Sequence, residues 1–119
     1  MAYIIELPIH TDPRGSLTVI EKVLPFTIKR VYWITELGKE ARGKHRHHLT
    51  WQAMVCLQGQ CEIVIKKEAK EQIYQLEKPN QTLILAPEDW HEMRQFKQNP
   101  ILLVMASHEF DPADYIKEP

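Results

Sequence analysis

Residues 51–66 read Trp-Gln-Ala-Met-Val-Cys-Leu-Gln-Gly-Gln-Cys-Glu-Ile-Val-Ile-Lys, two apolar runs on either side of Gln58-Gly59. Short runs rich in β-branched and aromatic residues, bounded by turn formers, are the mark of strands. The spacing predicts strands over Trp51–Leu57 and Cys61–Lys66, joined by a two-residue turn at Gln58-Gly59. That turn would set Cys56 opposite Cys61. We read the pair as two half-buried free thiols, because a reducing compartment keeps such pairs open.

The same composition recurs outward from this stretch. Ile28–Thr35 (IKRVYWIT), Thr82–Ala86 (TLILA) and Ile101–Ala106 (ILLVMA) read as strands. Gly38, Lys78-Pro79-Asn80, Pro87-Glu88-Asp89 and Asn99-Pro100 punctuate them. Turn signals about 8–12 residues apart give the rhythm of a β sandwich or barrel. Only residues 111–116 read as helical, with Asp111 as cap and Pro112 in the first position. The expectation is an all-β fold, one antiparallel domain over residues 1–119 with a short C-terminal helix. Lys66–Gln72 (KKEAKEQ) reads as a solvated hairpin end, and Trp51, Trp90, Met54, Met93 and Met105 read as core.

At 119 residues and 14.0 kDa the chain is large enough to bury one core. Its 15 Lys and Arg balance 16 Asp and Glu, so no basic excess points to nucleic acid. The N-terminus lacks the basic start and apolar run of a signal peptide, and no apolar stretch approaches the ~20 residues that span a bilayer. A cytoplasmic protein with no membrane partner is expected.

Three of the six histidines fall in Arg42-Gly43-Lys44-His45-Arg46-His47-His48. On a strand, alternate side chains share a face, so His45 and His47 project together while Arg46 points away. Facing a barrel interior, the two imidazoles form a proton-transfer pair, neutral and reversible near their ordinary pKa of ~6.5. On a strand with both faces in water, the same letters make a polar edge. A metal site is the third possibility. His45, His47, Gln52 and Gly59 follow the spacing of the first motif of the cupin superfamily, a small β-barrel or jelly roll, in which a glutamate stands at the position of Gln52. An amide brings no charge to a cation. The second cupin motif is met only by His91, without its glycine and one residue short. The pattern favours acid–base chemistry without a metal over a metal-dependent cupin.

Asp12-Pro13-Arg14-Gly15-Ser16-Leu17, Pro25-Phe26-Thr27-Ile28-Lys29-Arg30-Val31-Tyr32, Arg42-Gly43-x-His45-x-His47, Trp90-His91-Glu92-Met93 and Ala106-Ser107 with Asp111-x-x-Asp114-Tyr115-Ile116 occur together and in order. This ordered set, running from about Glu6 to Lys117, resembles the sugar 3,4-ketoisomerase cupin family, whose members act on dTDP-4-keto-6-deoxyglucose. The resemblance implies a cupin-type double-stranded β-helix (jelly-roll barrel) and a homodimer with exchanged N-terminal strands. It implies no cofactor, no metal, and a dTDP-linked 4-keto-6-deoxyhexose as substrate. It also implies that a base removes the C3 proton, an enediol forms, and C4 is reprotonated. His45 and His47 inherit the catalytic positions. Arg14, Trp33, Arg42, Gln52 and His91 are carried over as substrate-binding residues, the arginines as donors to the pyrophosphate; for His91 a hydrogen-bonded structural histidine is the slightly favoured reading.

The chain departs from the family in three places. Arg46 replaces the usual alanine between the two histidines. Trp33 stands where the family often carries a tyrosine whose hydroxyl lies in the active site, and Phe110 where a tyrosine is common. Trp33 supports an alternative, a cupin that binds a sugar nucleotide without isomerising it.

Overall fold

A computed structural model describes residues 1–119 as ten strands and one helical turn. The strands are β1 (Tyr3–Glu6), β2 (Ile9–Asp12), β3 (Gly15–Thr18), β4 (Arg30–Ile34), β5 (Arg42–His47), β6 (Gln52–Lys67), β7 (Lys70–Leu76), β8 (Gln81–Leu85), β9 (Trp90–Ala106) and β10 (Tyr115–Ile116). β6 and β9 are the long pair at the centre, antiparallel from Gln52↔Ala106 to Lys66↔Trp90. The first half of β6 and the second half of β9 belong to the order β1-β8-β6-β9-β4. Their other halves belong to the order β7-β6-β9-β5-β10. The two halves close on one core, where Met54, Cys56, Leu83, Leu102 and Val104 meet Cys61, Ile63, Leu76 and Met93. The all-β jelly-roll architecture is therefore present.

The hairpin expected at Gln58-Gly59 is not. β6 runs straight through it, and the register slips between Cys56 and Glu62. Core residues are even-numbered before the slip (Met54, Cys56) and odd-numbered after it (Cys61, Ile63, Ile65). β9 makes the complementary switch, from Met93 to Leu102 and Val104, with Gln98 and Asn99 at φ +60° and +53°. A strand that kept strict alternation would turn one of its halves inside out, so the bulge is what lets both halves face one core. Gly59 sits at φ +73° directly on β9, where a Cβ would lie 2.5 Å from the Lys97 carbonyl oxygen and 2.8 Å from that of Gln98. Its glycine serves close approach rather than a turn. Asn99-Pro100 is likewise part of the bulge, so Ile101–Ala106 is only the second half of β9. Cys56 and Cys61 are free, as expected, but fully rather than half buried, and meet across the bulge rather than across a hairpin.

Other expectations are met with shifts of a residue or two: β4 within Ile28–Thr35, β8 along Thr82–Ala86, and an exposed hairpin end between β6 and β7. The C-terminal helix shrinks to one 3₁₀ turn, Pro112–Asp114. Asp111 caps it as expected, its Oδ1 accepting from the Ala113 N–H at 3.0 Å. The turn stops because Tyr115 and Ile116 are drawn into β10, opposite His47 and Arg46. The β2–β3 hairpin forms a separate two-stranded sheet, exposed along its whole length. The segment after it crosses the outer face of the barrel, where Ile20, Leu24 and Phe26 cover Ala53, Val55, Ile84 and Met105. No helix is long and apolar enough to cross a membrane.

Candidate active site

β5 owes its position to Gly43. At φ +86° a Cβ there would lie 3.0 Å from the His91 carbonyl oxygen and 3.1 Å from the Met93 Cε, so only glycine lets β5 approach β9 this closely. The register slips between Gly43 and His45, and beyond the slip His45 and His47 share a face. Their ring centroids are 5.0 Å apart, edge to face. His91, paired opposite His45 on β9, brings its ring to 4.8 Å from His45 and 6.1 Å from His47. Tyr115 on β10 places its ring 4.7 Å from each of His45 and His47. Three imidazoles and a phenol thus form one wall.

β4 supplies the facing wall. Alternation turns Tyr32 inward and leaves Trp33 65 % exposed at the lip. The Arg30 guanidinium lies 4.4 Å over the Tyr32 ring. Gln52, buried behind it, donates from Nε2 to the Tyr32 hydroxyl at 3.3 Å. Between the walls is a cavity of about 460 Å³ reached by Tyr32, Trp33, Arg42, His45, Met93 and Tyr115, a size common for small-ligand sites.

The structure therefore gathers His45, His47 and His91 on one wall, puts Arg42 and Trp33 on the cavity, and sets Gln52 behind Tyr32. It does not bring Arg14 to them. Arg14 caps the tip of the β2–β3 hairpin, its side chain 91 % exposed and paired with Asp12 at 2.6 Å. Nor does Trp33 leave the cavity without a hydroxyl, since the inward residue of this strand is Tyr32. Tyr32 and Tyr115 are the site residues that the sequence reading missed. Period-two alternation along β4 selects Tyr32; Tyr115 was hidden by the helical reading of its segment. A cupin-type cation site does not fit these residues. The glutamate of that pattern is Gln52, its amide is turned to Tyr32, and no group of three His, Cys, Asp or Glu side chains is arranged to hold a metal ion.

Burial dominates the electrostatics. It pushes His47 down to about 4, helped by His45 and Arg30 and opposed by Asp114. It pushes His91 down to about 3, helped by His45 and opposed by the Asp89 backbone. It also lowers His45, against a hydrogen bond to the Gly43 backbone. All three imidazoles are neutral at pH 7, each with one donor and one acceptor nitrogen. The Asp89 carbonyl can only accept, so His91 Nδ1 carries the proton at 3.1 Å from it and Nε2 is left as an unpartnered acceptor. Burial, and then Tyr115, raises Tyr32, which stays protonated as a donor.

This has a consequence for stability. The unfolded chain protonates these histidines near pH 6.5, but the folded chain resists down to about 4 at His47 and about 3 at His91. Stability is therefore complete above pH 6.5 and falls as the pH drops below it, by about 2 kcal/mol for each such imidazole at pH 5. Melting curves should show a lower Tm at pH 5 than at pH 7.5, and His91→Gln should reduce that difference. A pH-independent Tm over this range would contradict the burial of neutral imidazoles.

The family model described as "FdtA: WxcM-like, C-terminal" matches residues 1–119. The chain belongs to this family. It is the family of sugar 3,4-ketoisomerases that the ordered motifs resemble. Among the family's proteins, the TDP-4-oxo-6-deoxy-α-D-glucose-3,4-oxoisomerase of Aneurinibacillus thermoaerophilus is 41% identical over 110 residues, covering 90% of this chain and 79% of that protein. The QdtA sugar 3,4-ketoisomerase of Thermoanaerobacterium thermosaccharolyticum, solved with TDP, is 39% identical with a TM-score of 0.93, over 98% of this chain and 88% of that one. The WlaRB TDP-quinovose 3,4-ketoisomerase of Campylobacter jejuni is 34% identical with a TM-score of 0.92, over 98% and 92%.

Proposed function

We propose that this protein is a nucleotide-sugar 3,4-ketoisomerase that moves the carbonyl of TDP-4-keto-6-deoxyglucose from C4 to C3. The observation that carries this reading is the pair of neutral imidazoles, His45 on a cavity and His47 packed beside it, in a chain 41% identical to an oxoisomerase of that sugar. The C4 ketone acidifies the C3–H bond. One imidazole takes that proton, the electron pair forms the C3–C4 double bond, and the former carbonyl oxygen at C4 gains a proton. The C3 hydroxyl then loses its proton to become the new carbonyl, and C4 receives one in return. Atoms and charge balance with no redox partner, and the protein needs only groups that take and return protons near neutrality.

The other residues divide the remaining work. Tyr32 accepts from Gln52, so its own O–H is directed elsewhere, as a donor to the oxygen on which charge develops. Arg42 at the cavity and Trp33 at its lip suit the pyrophosphate and the thymine face respectively. His91 offers Nε2 as an acceptor. Arg14 joins a site through a second copy of the chain. The fully exposed β2–β3 hairpin, with Ile9 and Leu17 47 % and 60 % exposed, is the segment a homodimer would exchange. Sedimentation at twice 14.0 kDa tests this, and a monomer at working concentration would remove it. The free thiols of Cys56 and Cys61 accord with a cytoplasmic enzyme.

Incubation with TDP-4-keto-6-deoxyglucose in heavy water tests the reaction. Deuterium should enter C3 or C4, with the 3-keto sugar accumulating. Exchange no faster than in buffer, with tight TDP binding retained, would instead make the protein a non-catalytic sugar-nucleotide binder.

A further inference from the structure

Arg46 stands between the two site histidines and faces the other way, where the family usually carries an alanine. Its Nε donates to the Glu118 carbonyl at 2.8 Å. Alongside, Trp90 Nε1 donates to the Lys117 carbonyl at 2.8 Å, and the Lys66 ammonium lies 5.0 Å over the Trp90 ring. These bonds grip the far end of a strap, residues 111–118. Its near end is held by Asp114, which accepts from the Leu49 N–H at 2.8 Å and from the Thr50 hydroxyl, and whose carbonyl accepts from the His48 N–H at 2.9 Å. Between the two grips only Tyr115 and Ile116 pair with β5, and a two-residue edge strand has little stability of its own. Yet Tyr115 is the residue whose ring touches both imidazoles.

We propose that Arg46 and Trp90 clasp the C-terminal strap and through it hold Tyr115 against His45 and His47, so that Arg46 is a positioning residue for the imidazole pair. This rests on the ketoisomerase reading only for its effect on rate. Arg46 never enters the cavity; it acts by keeping a phenol ring packed where water would otherwise reach both histidines. Water there would return the histidines toward their ordinary basicity and free their rings to rotate. The other groups facing the pair are His91 from β9, Tyr32 and Arg30 from β4, and Asp114 at the near end of the strap, whose bonds to Leu49 and Thr50 do not involve Arg46.

Arg46→Ala installs the family's usual residue, and its melting curve reports that the barrel is intact. In this variant kcat should fall about tenfold with KM changed less than about twofold, as expected for misplaced catalytic groups rather than lost binding. The acid limb of kcat should move to higher pH, and the His45 and His47 ring signals should titrate at higher pH by NMR. The Tyr115 and Ile116 amides should exchange about tenfold faster while those of Met54 and Val55 do not change. Arg46→Lys, which keeps a donor, should recover most of each effect. Unchanged strap exchange in Arg46→Ala, or faster exchange with unmoved imidazole titrations, overturns the proposal whatever the rate does. The exchange and titration readouts decide it even if the wild-type protein shows no isomerase activity.

Discussion

His45→Asn is expected to lower kcat for carbonyl migration by about a thousandfold, inside the range for removing a general acid or base, while TDP affinity changes less than about threefold. The asparagine amide keeps a polar group near the Gly43 backbone, where the imidazole makes its hydrogen bond, but it cannot take a proton from carbon. His45 is the better of the two positions for this test. It is half-buried on the cavity wall, whereas His47 is 4 % exposed, so shortening His47 also leaves a hole against Tyr115 and mixes a stability loss into the rate. Product formation followed by NMR and TDP titration by calorimetry separate the two quantities. Retention of kcat within about tenfold of wild type would remove His45 from proton transfer and leave His47 and His91 to account for it.

The legible part of this site is the part that period-two alternation controls. Counting places His45 and His47 on one face, and the structure puts their rings 5.0 Å apart, with His45 on the cavity. The same count along β4 turns Tyr32 inward and leaves Trp33 at the cavity lip, so the cavity keeps a phenol hydroxyl although Trp33 supplies none. His91 was legible only as a motif letter. Nothing local says that β9 will lay it opposite His45, because that pairing depends on Gly43 admitting β5 to within contact of the His91 carbonyl. Tyr115 was obscured for a different reason. Asp111-Pro112 is a sound helix start and does cap a turn, but the tertiary pull of β5 on two residues outweighs a three-residue helix with almost no hydrogen bonds to lose. Arg14 has no readable place within one chain, since it stands on a hairpin that packs on nothing in its own barrel.

The fold was legible as strands and illegible as joints. Gln58-Gly59 and Asn99-Pro100 carry the letters of turns, and letters do not distinguish a chain that reverses from one that bulges and continues. The phase of burial does not distinguish them either. In Met54-Val55-Cys56 the core positions are even, and in Cys61-Glu62-Ile63 they are odd. A two-residue hairpin with four residues between the cysteines keeps Cys56 and Cys61 on one face of paired strands; so does a bulge in a single strand. The two readings agree on which residues are buried and differ only in where the second run goes, which is why the core was foreseen and the topology was not.

Gly59 separates those readings energetically. On an exposed hairpin tip, Gly59→Asn would be mild, because asparagine tolerates positive φ and the side chain would extend into water. In the bulge any Cβ meets two backbone carbonyls, Lys97 at 2.5 Å and Gln98 at 2.8 Å, which can retreat only if β9 bends away from β6. A left-handed conformation costs a non-glycine residue about 1–2 kcal/mol, and forcing extra volume into a packed site about 1–3 more. Gly59→Ala and Gly59→Asn should therefore each destabilise by about 3 kcal/mol, a large share of the 5–15 kcal/mol typical of a domain, with a Tm drop of roughly 10 °C. Gly38→Ala is the contrast, with open space around its Cβ and no positive φ, and should stay within about 0.5 kcal/mol of wild type. Urea unfolding of the three variants decides the matter. Were Gly59→Asn as stable as Gly38→Ala, β6 and β9 could not cross where they do, and the switch of phase that turns both sheet halves toward one core, and with it the wall carrying His91, would have to arise elsewhere.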